Sequence, residues 1–440
     1  MNYDAVASLR APTSKSAGIE GMVRRIFADY PGSLAVRLWN GVTIVVGAGI
    51  PQFTLVFRAP SVFRESILRR SPLQLAHAYF CGDLDVEGDL YGALELRHHF
   101  GGQALPLRDK VWLVAKALSL RPAVANTAGA PQSTIREAPF EAAARVNTRR
   151  QNQLAIAFHY DLPSEFYRTW HDEQMVYSCA YFEAVDDTLD DAQTNKLNHI
   201  CRKLRLAPGE RFLDIGCGWS ALAIHAANYY GVHATGVTLS KRQFEWAQRR
   251  LSAEHLQDRV TIRLLDYRDI PGESNFDKVA SVGMFEHVGL KNLPAYFNTV
   301  HRLLVPGGLF LNHGITHDEE GWNKSLSSEF INRYVFPDGE LDTVSNVQRQ
   351  MERAQFEIWD VEGLRPHYAL TLRHWVSRLE AARSEALNHV DEATYRIWRL
   401  YMAGCALNFE NGDLAVHQIL ASRRAPNMVP VPLTRRDLYR

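Results

Sequence analysis

The pattern of hydrophobic and polar positions between residues 211 and 243 predicts a strand, a tight turn, a helix and a second strand. Residues 212–215 form a short apolar run typical of a buried strand, and this run leads into Gly216, Cys217 and Gly218. Residues 221–230 then have the composition of a helix, and residues 234–238 form a second apolar run. Such a unit is typical of nucleotide-binding α/β folds, because glycine lets the backbone turn sharply and approach a ligand closely.

The residues around the glycine turn favour one kind of nucleotide ligand. Asp214 precedes the turn, Trp219 and Ser220 follow it, and the third glycine of a dinucleotide-binding motif is missing. A carboxylate at this position would repel a phosphate and attract a cation or an amino group. S-adenosylmethionine carries a sulfonium and an ammonium but no phosphate, so the pattern predicts that this compound is bound. An ordinary tight turn is the alternative that two glycines alone would leave open.

The first 121 residues predict a small α+β domain. Residues 18–30 and 61–70 have helical periodicity, and residues 80–89 predict a turn-rich hairpin. Strands are predicted at residues 34–39, 43–47 and 53–58. Asn40-Gly41 lies between the first two apolar runs, which is a strong signal for a β-hairpin. The region has no obvious cluster of catalytic residue types, so we interpret it as a binding or assembly domain.

A basic amphipathic helix is predicted at residues 108–120. Its apolar positions are Val111, Val114, Ala115 and Leu118, and its basic positions, with Arg121, are Arg108, Lys110 and Lys116. Together with Trp112, this pattern is typical of a helix that lies on an anionic membrane surface, and ordinary packing within the protein is the alternative. Residues 122–140 have the composition of a linker.

Residues 141–440 predict a Rossmann-like methyltransferase domain of the α/β class. The nucleotide-binding unit extends over residues 205–317, and the chain before it is helical up to residue 161. Further strands are predicted at residues 261–265, 276–282 and 308–312. Residues 325–421 are mainly helical and rich in aromatic side chains, so they are predicted to form a lid over the substrate.

Composition narrows the possible functions and locations. The 440 residues include 49 basic and 49 acidic ones, so the charge gives no reason to expect binding to nucleic acid. The apolar runs are too short to span a bilayer, and residues 1–20 lack a cleavable secretory pattern. The five cysteines include no CxxC pair, so we expect a reducing cytoplasm, no disulfide and no metal site. Any contact with the inner membrane would then be peripheral.

Six segments, in the same order along the chain, resemble motifs of the cyclopropane-fatty-acyl-phospholipid synthases and of the related mycolic-acid cyclopropane synthases. They are YSCAYF at 177–182, the glycine turn, VTLS at 237–240, DYRD at 266–269, VGMFEHVG at 282–289 and YVFPDG at 334–339. The resemblance covers residues 147–440, and the N-terminal domain more loosely resembles the lipid-binding domain of the bacterial phospholipid enzymes. It implies an enzyme of phospholipid bilayers whose N-terminal domain presents lipid or holds a homodimer together.

The resemblance implies transfer of a methylene group from S-adenosylmethionine to the cis double bond of an unsaturated acyl chain, forming a cyclopropane ring. An alkene is a weak nucleophile, so such a site must exclude water and hold the double bond against the donor. The cationic intermediate needs aromatic rings or an anion nearby, and a base must remove a proton. In the family this base is a bound bicarbonate, and the residues that match its ligands are Cys179, Glu286, His313, Ile315 and Tyr368.

The resemblance also implies the binding site for S-adenosylmethionine. Tyr177 and Ser178 match positions at the methionine end of the cofactor. The other predicted cofactor-binding residues are Asp214, Gly216, Cys217, Gly218, Thr238, Leu239, Ser240, Gln243 and Tyr267. Two positions depart from common patterns: no acidic residue follows the second strand, and Ser220 replaces the glycine that is usual in the family.

Each catalytic assignment has a structural alternative. Glu286 could form an ion pair on the next helix, His313 could be a core histidine, and Tyr368 could serve packing alone. Cys405 matches an active-site cysteine of the family, but its apolar neighbours also suit a small buried residue. Two other functions stay open. One is methyl addition without ring closure, which gives methyl- or methylene-branched fatty acids. The other is a lipid-binding or regulatory role for a degenerate, non-catalytic methyltransferase domain.

Overall fold

Two compact units, Met1–Ile135 and Arg136–Arg440, make up the chain. The computed structural model describes residues 14–69, 71–102, 105–120, 135–138, 148–319, 326–337 and 339–439. Most of the predicted linker at residues 122–140 therefore lies outside the described residues. Within the described ranges, no helix is long and apolar enough to span a membrane.

The described part of the N-terminal unit contains a four-stranded sheet and five helices. The strands are β1 Leu34–Arg37, β2 Thr43–Val46, β3 Phe53–Phe57 and β4 Leu84–Gly88, in the spatial order β2-β1-β3-β4. The helices are α1 Ser14–Ile26, α2 Pro60–Leu68, α3 Pro72–Phe80, α4 Leu90–Gly102 and α5 Leu107–Leu118. β1 and β2 form the hairpin predicted at Asn40-Gly41, where Gly41 has a φ of 83°.

The prediction of a hairpin at residues 80–89 is wrong. Phe80 ends α3, and the extended part of this segment is the single strand β4, which pairs antiparallel with β3. The partner strand precedes β4 in the chain by two helices, α2 and α3. A local sequence pattern identifies the extended segment and its turn, but it does not identify so distant a partner.

The second unit is built on a seven-stranded sheet in its described part. The strands are β5 Arg211–Ile215, β6 His233–Thr238, β7 Val260–Leu264, β8 Phe276–Val282, β9 Leu304–Thr316, β10 Phe356–Gly363 and β11 Ala415–Arg423. Their spatial order is β10-β11-β9-β8-β5-β6-β7. The pairs from β9 to β7 are parallel, and β11 and β10 are added antiparallel at one edge. The predicted α/β class with a Rossmann-like sheet is confirmed.

Helices cover both faces of this sheet. They are α6 Arg149–Tyr160, α7 Ser164–Arg168, α8 Leu189–Leu204, α9 Ala221–Tyr230, α10 Lys241–Ala253, α11 Leu293–Leu303, α12 Leu326–Tyr334, α13 Val344–Arg353, α14 Arg365–Ala381, α15 Arg383–Ala386 and α16 Glu392–Asn411. Phe212 of β5 packs in one apolar cluster with residues of α8 and α9, and its neighbour Leu213 packs in another with residues of α11 and α13. Strands buried on both faces explain the unbroken apolar runs in the sequence.

The region predicted as mainly helical, residues 325–421, also contains β10 and most of β11. β11 pairs with β9 from Thr316 to Leu309, which explains why β9 is longer than the strand predicted at residues 308–312. Antiparallel strands added late in the chain have no βαβ pattern around them, so these two strands were not predicted.

Candidate active site

A deep cavity lies at the carboxyl ends of β5, β6 and β8, where ligands bind in open α/β sheets. It encloses about 1140 Å³ including its open mouth. The predicted cofactor residues that line it are Tyr177, Ser178, Asp214, Gly216, Cys217, Gly218, Thr238, Leu239, Gln243 and Tyr267. Ser240 is not a lining residue, because its hydroxyl caps α10 by accepting a hydrogen bond from the N–H of Gln243 at 3.3 Å.

The glycine turn after β5 needs backbone conformations that glycine adopts easily. Gly216 has a φ of 76°, and a Cβ added to it would come within 2.8 Å of the Met284 side chain. Ser220 has a φ of 70° and therefore occupies the left-handed region that favours glycine. This geometry explains the glycine that is usual in the family, and the cost of a non-glycine residue there is about 1–2 kcal/mol.

Thr238 and Gln243 form the wall beyond β6. The Thr238 hydroxyl donates to the Gln243 side-chain oxygen at 2.9 Å and accepts from the N–H of Ser240 at 3.2 Å. Tyr267 lies across the cavity and packs edge-to-face against Tyr296, with ring centroids 5.5 Å apart. Hydroxyl and amide groups thus take the place of the acidic residue that most nucleotide folds carry after the second strand.

Asp214 and Lys196 place two opposite charges in the wall near Ser178. Burial raises the pKa of the Asp214 carboxyl to about 7, and the charge of Lys196 partly opposes this rise. Burial lowers the pKa of Lys196 to about 8, and its ammonium donates to the Ser178 hydroxyl at 2.7 Å. Lys196 belongs to none of the sequence motifs, although a lysine among the apolar positions of α8 is a signal of a buried charge.

Glu286 lies in a short 3₁₀ helix, Phe285–His287, directly after β8. It is buried, and its Oε1 accepts a hydrogen bond from the N–H of Ile315 at 2.7 Å. Its Oε2 is also buried and has no hydrogen-bond partner among the described residues. Burial raises the pKa of Glu286 to about 7, against the opposing effect of the Ile315 N–H. Met284 and His287, on either side of Glu286, line the cavity.

Tyr368 interacts electrostatically with both Cys179 and Glu286. Burial raises the pKa of Tyr368 well above its ordinary value, and the nearby Tyr401, Cys179 and Glu286 raise it further. The Tyr368 ring packs on Phe409 with centroids 4.6 Å apart. The Cys179 thiol is fully buried and donates to the carbonyl of Ala180 at 3.3 Å.

His313 has a different environment from the other predicted bicarbonate ligands. Its Nδ1 lies 3.2 Å from the Nε2 of Gln418 on β11, and within the described residues no hydrogen bond joins it to Glu286. Burial, together with the charges of Lys196 and Lys203, lowers the pKa of His313 well below its ordinary value. The imidazole is therefore neutral. Of the five predicted residues, the structure joins Glu286 directly only to Ile315.

Cys405 lies on α16 with its thiol hydrogen-bonded to Tyr401, which is also bonded to Tyr177. Burial raises the pKa of Cys405 to about 12, so its thiol stays protonated at neutral pH. A protonated thiol is a poor nucleophile. This environment suits a packing and hydrogen-bonding role for Cys405.

An aromatic cluster adjoins the cavity, and its members Tyr160, Tyr177 and Trp219 line it. Tyr177 lies 5.2 Å from His171 and 5.3 Å from Trp375, measured between ring centroids. Further members are Tyr160, Tyr167, Trp170, Trp219, Trp398, His159 and Phe336. Electron-rich rings in a dry environment stabilise cations at their faces. No motif in the sequence predicts this cluster, because its members come from five separate segments of the chain.

Comparisons with known proteins agree with this geometry. Residues 147–419 match the family model described as mycolic acid cyclopropane synthetase. A probable fatty acid methyltransferase of Pseudomonas putida is 42% identical over 92% of this chain and 96% of its own length. The cyclopropane-fatty-acyl-phospholipid synthase of Escherichia coli K12 is 41% identical over 61% of this chain and 68% of its own length.

A solved structure has the same fold. The crystal structure of the mycolic acid cyclopropane synthase CmaA1 complexed with SAH and CTAB aligns with a TM-score of 0.58 and 34% identity. The alignment covers 61% of this chain and 98% of that chain.

Proposed function

The chain belongs to the mycolic acid cyclopropane synthetase family and has an S-adenosylmethionine-dependent methyltransferase fold, and from this premise we propose a specific reaction. The protein transfers a methylene group to the cis double bond of an unsaturated phospholipid acyl chain, and a cyclopropane ring closes. One observation carries the proposal. A buried carboxylate with an unpaired oxygen, that of Glu286, lies in the same turn as two residues that line the cavity.

The residues that line the cavity suit the donor. Asp214 offers a carboxylate to the ammonium group, and Thr238 and Gln243 offer polar groups to the ribose. When bound, S-adenosylmethionine supplies an electrophilic methyl group. Tyr160, Tyr177 and Trp219 also line the cavity, and aromatic rings of this kind can displace water and stabilise positive charge.

Glu286 has two roles in this proposal. Its carboxylate stabilises positive charge on the acyl chain, and its free Oε2 can accept a hydrogen bond from a proton acceptor placed beside it. Bicarbonate has the hydrogen-bonding groups that this position requires, because its hydroxyl can donate to Oε2 and the phenol of Tyr368 can donate to its oxygens. When bound, bicarbonate supplies a base. His313 is hydrogen-bonded to Gln418. Its predicted role as a bicarbonate ligand therefore stays a prediction.

A second candidate function is methyl transfer without ring closure. The relative that covers 92% of this chain is named a probable fatty acid methyltransferase, and that name includes no ring. Both functions use the same donor and an unsaturated chain. They differ in the bond that forms when the intermediate loses its proton, which is a ring bond in one case and a carbon–carbon double bond in the other.

Labelled methyl transfer tests the proposed function. The purified full-length protein is incubated with methyl-labelled S-adenosylmethionine and vesicles of phosphatidylglycerol, whose head group has no amine to methylate. We expect label in the acyl chains of unsaturated lipid and none in saturated lipid with the same head group. No label in either lipid, or equal label in both, would contradict the proposal.

We further propose that α5 brings the protein to the phospholipid surface. Its outward side carries an apolar stripe of four residues, here called the α5 stripe: Leu107, Val111, Val114 and Leu118, which are 76%, 61%, 40% and 58% exposed. Leu113 and Ala117, on another side of the helix, are buried in the core of the N-terminal unit. The helix therefore packs and still exposes an apolar surface. Exposed Arg108 and Lys116 can reach anionic lipid beside it.

Replacement of two stripe residues, Val111→Asp with Leu118→Asp, should weaken binding to anionic vesicles by about tenfold or more, because each loses its transfer into lipid. Activity on detergent-dispersed substrate should stay near the wild-type value. Val185→Asp is a matched control, since Val185 is 82% exposed but lies in the second unit. Vesicle sedimentation measures binding. Equal losses on vesicles and on dispersed substrate would contradict the role of the α5 stripe.

A further inference from the structure

Lys196 is a buried cation that has no role in the reaction proposed above. Its side chain lies on the buried side of α8 and lines the cavity together with Ser178 and Asp214. A buried ammonium is costly unless it meets hydrogen-bond acceptors or an opposite charge. Within the described residues, its hydrogen-bond partner is the Ser178 hydroxyl at 2.7 Å, and it forms no ion pair with a carboxylate.

Asp214 is the opposite charge in the same wall. Its carboxylate is buried and, among the described residues, makes no hydrogen bond or ion pair. Lys196 and Asp214 influence each other electrostatically without forming an ion pair. An unpaired cation and an unpaired anion that both face one cavity match the two charges of an α-amino acid group.

We propose that Lys196 binds the α-carboxylate of the amino-acid part of S-adenosylmethionine, while Asp214 binds its ammonium. This inference rests on the donor named in the proposed function. Ser178 takes part because its oxygen accepts the hydrogen bond from Lys196, which leaves the hydroxyl proton free to donate to the same carboxylate.

The surrounding contacts hold this pair in place. The side-chain amide of Gln193, one helical turn before Lys196 on α8, donates to the carbonyl of Ser178 at 2.9 Å and to that of Val176 at 3.3 Å. The loop that carries Ser178 is thus fixed to the helix that carries Lys196. Gln193 is fully buried, so water does not compete for these hydrogen bonds.

Two ligands that differ by one group test the assignment. Lys196→Met should lower the affinity for S-adenosylmethionine by about 10- to 100-fold, because a hydrogen bond to a charged group is lost. Decarboxylated S-adenosylmethionine lacks the carboxylate, so its affinity should change by less than about twofold. Isothermal titration calorimetry measures both. Equal losses for the two ligands would overturn the inference and assign Lys196 a structural role.

Lys203→Met is the matched control. Lys203 is also fully buried on α8, but it forms ion pairs with Asp360 and Glu362 and does not line the cavity. Its loss should lower the melting temperature and leave the ratio of the two affinities unchanged. If Lys196→Met does not fold, Ser178→Ala is the alternative variant. It should reduce the affinity for S-adenosylmethionine relative to the affinity for the decarboxylated compound, and an unchanged ratio of the two would overturn the inference. Because only binding is measured, the inference can fail or hold independently of methyl transfer.

Discussion

Glu286→Gln is expected to lower methyl transfer by about 10²–10⁴-fold, the range typical for loss of acid–base participation. Affinity for S-adenosylmethionine should stay close to the wild-type value, since Glu286 does not line the cavity. Glutamine keeps the oxygen that accepts from the N–H of Ile315, so the turn after β8 should keep its shape. The variant removes the negative charge and turns the unpaired Oε2 into a hydrogen-bond donor. Turnover at saturating donor measures the effect.

The role of Glu286 also predicts how turnover depends on pH. The pKa of Glu286 is raised to about 7, and the charged carboxylate is the form that stabilises a cation. Wild-type turnover should therefore rise as the pH passes through about 7, and the variant should lack this rise. Glu340→Gln is a control, because the Glu340 carboxylate also holds a nearby backbone N–H, that of Leu290. Unchanged turnover in Glu286→Gln would remove Glu286 from the chemistry.

Gly314→Ala is expected to destabilise the protein by about 1–3 kcal/mol or more, because it forces atoms into a filled core. A Cβ added to Gly314 would come within 1.9 Å of Cε1 of Phe285 and 3.0 Å of Oε1 of Glu286. Phe285 is buried, so its ring has no open space to enter. Movement of the turn would displace Glu286, and turnover should fall with stability. Chemical denaturation and turnover measure the two effects.

A second glycine and a second substitution provide the controls for Gly314→Ala. Gly404, on α16, has no atom within 4 Å of its added Cβ, so Gly404→Ala should raise stability by about 0.5–1 kcal/mol. Adding Phe285→Leu to Gly314→Ala removes the closest clash and should restore part of the stability. A Gly314→Ala protein as stable and active as wild type would show that the turn carrying Glu286 adapts freely.

The sequence predicts the central βα unit well because its signals are local. Apolar residues on both faces of β5 and the left-handed glycines after it occupy one short segment, so pattern and turn chemistry agree. The strands β4, β10 and β11 were missed or misassigned because their partners lie far away in the chain. Local patterns reveal extended segments but not which strands pair.

Some residues of the candidate site were likewise predicted from local motifs, whereas others depend on the tertiary fold. The predicted cofactor residues follow motifs, and ten of them line one cavity. Lys196 and the aromatic cluster depend on how α8, α14, α16 and the loops before them come together, which no single motif encodes. The contact between His313 and Gln418 depends on β11. This strand lies in a region predicted as mainly helical, so the contact was not predicted.

The most direct test of the central claim uses S-adenosylmethionine with a fully deuterated methyl group. The purified protein acts on vesicles of unsaturated phosphatidylglycerol, and the product chains are analysed by mass spectrometry before and after mild catalytic hydrogenation. Ring closure predicts chains that retain two of the three deuterium atoms and do not take up hydrogen. Chains that retain all three deuterium atoms, or that take up hydrogen at a new double bond, would contradict cyclopropane formation.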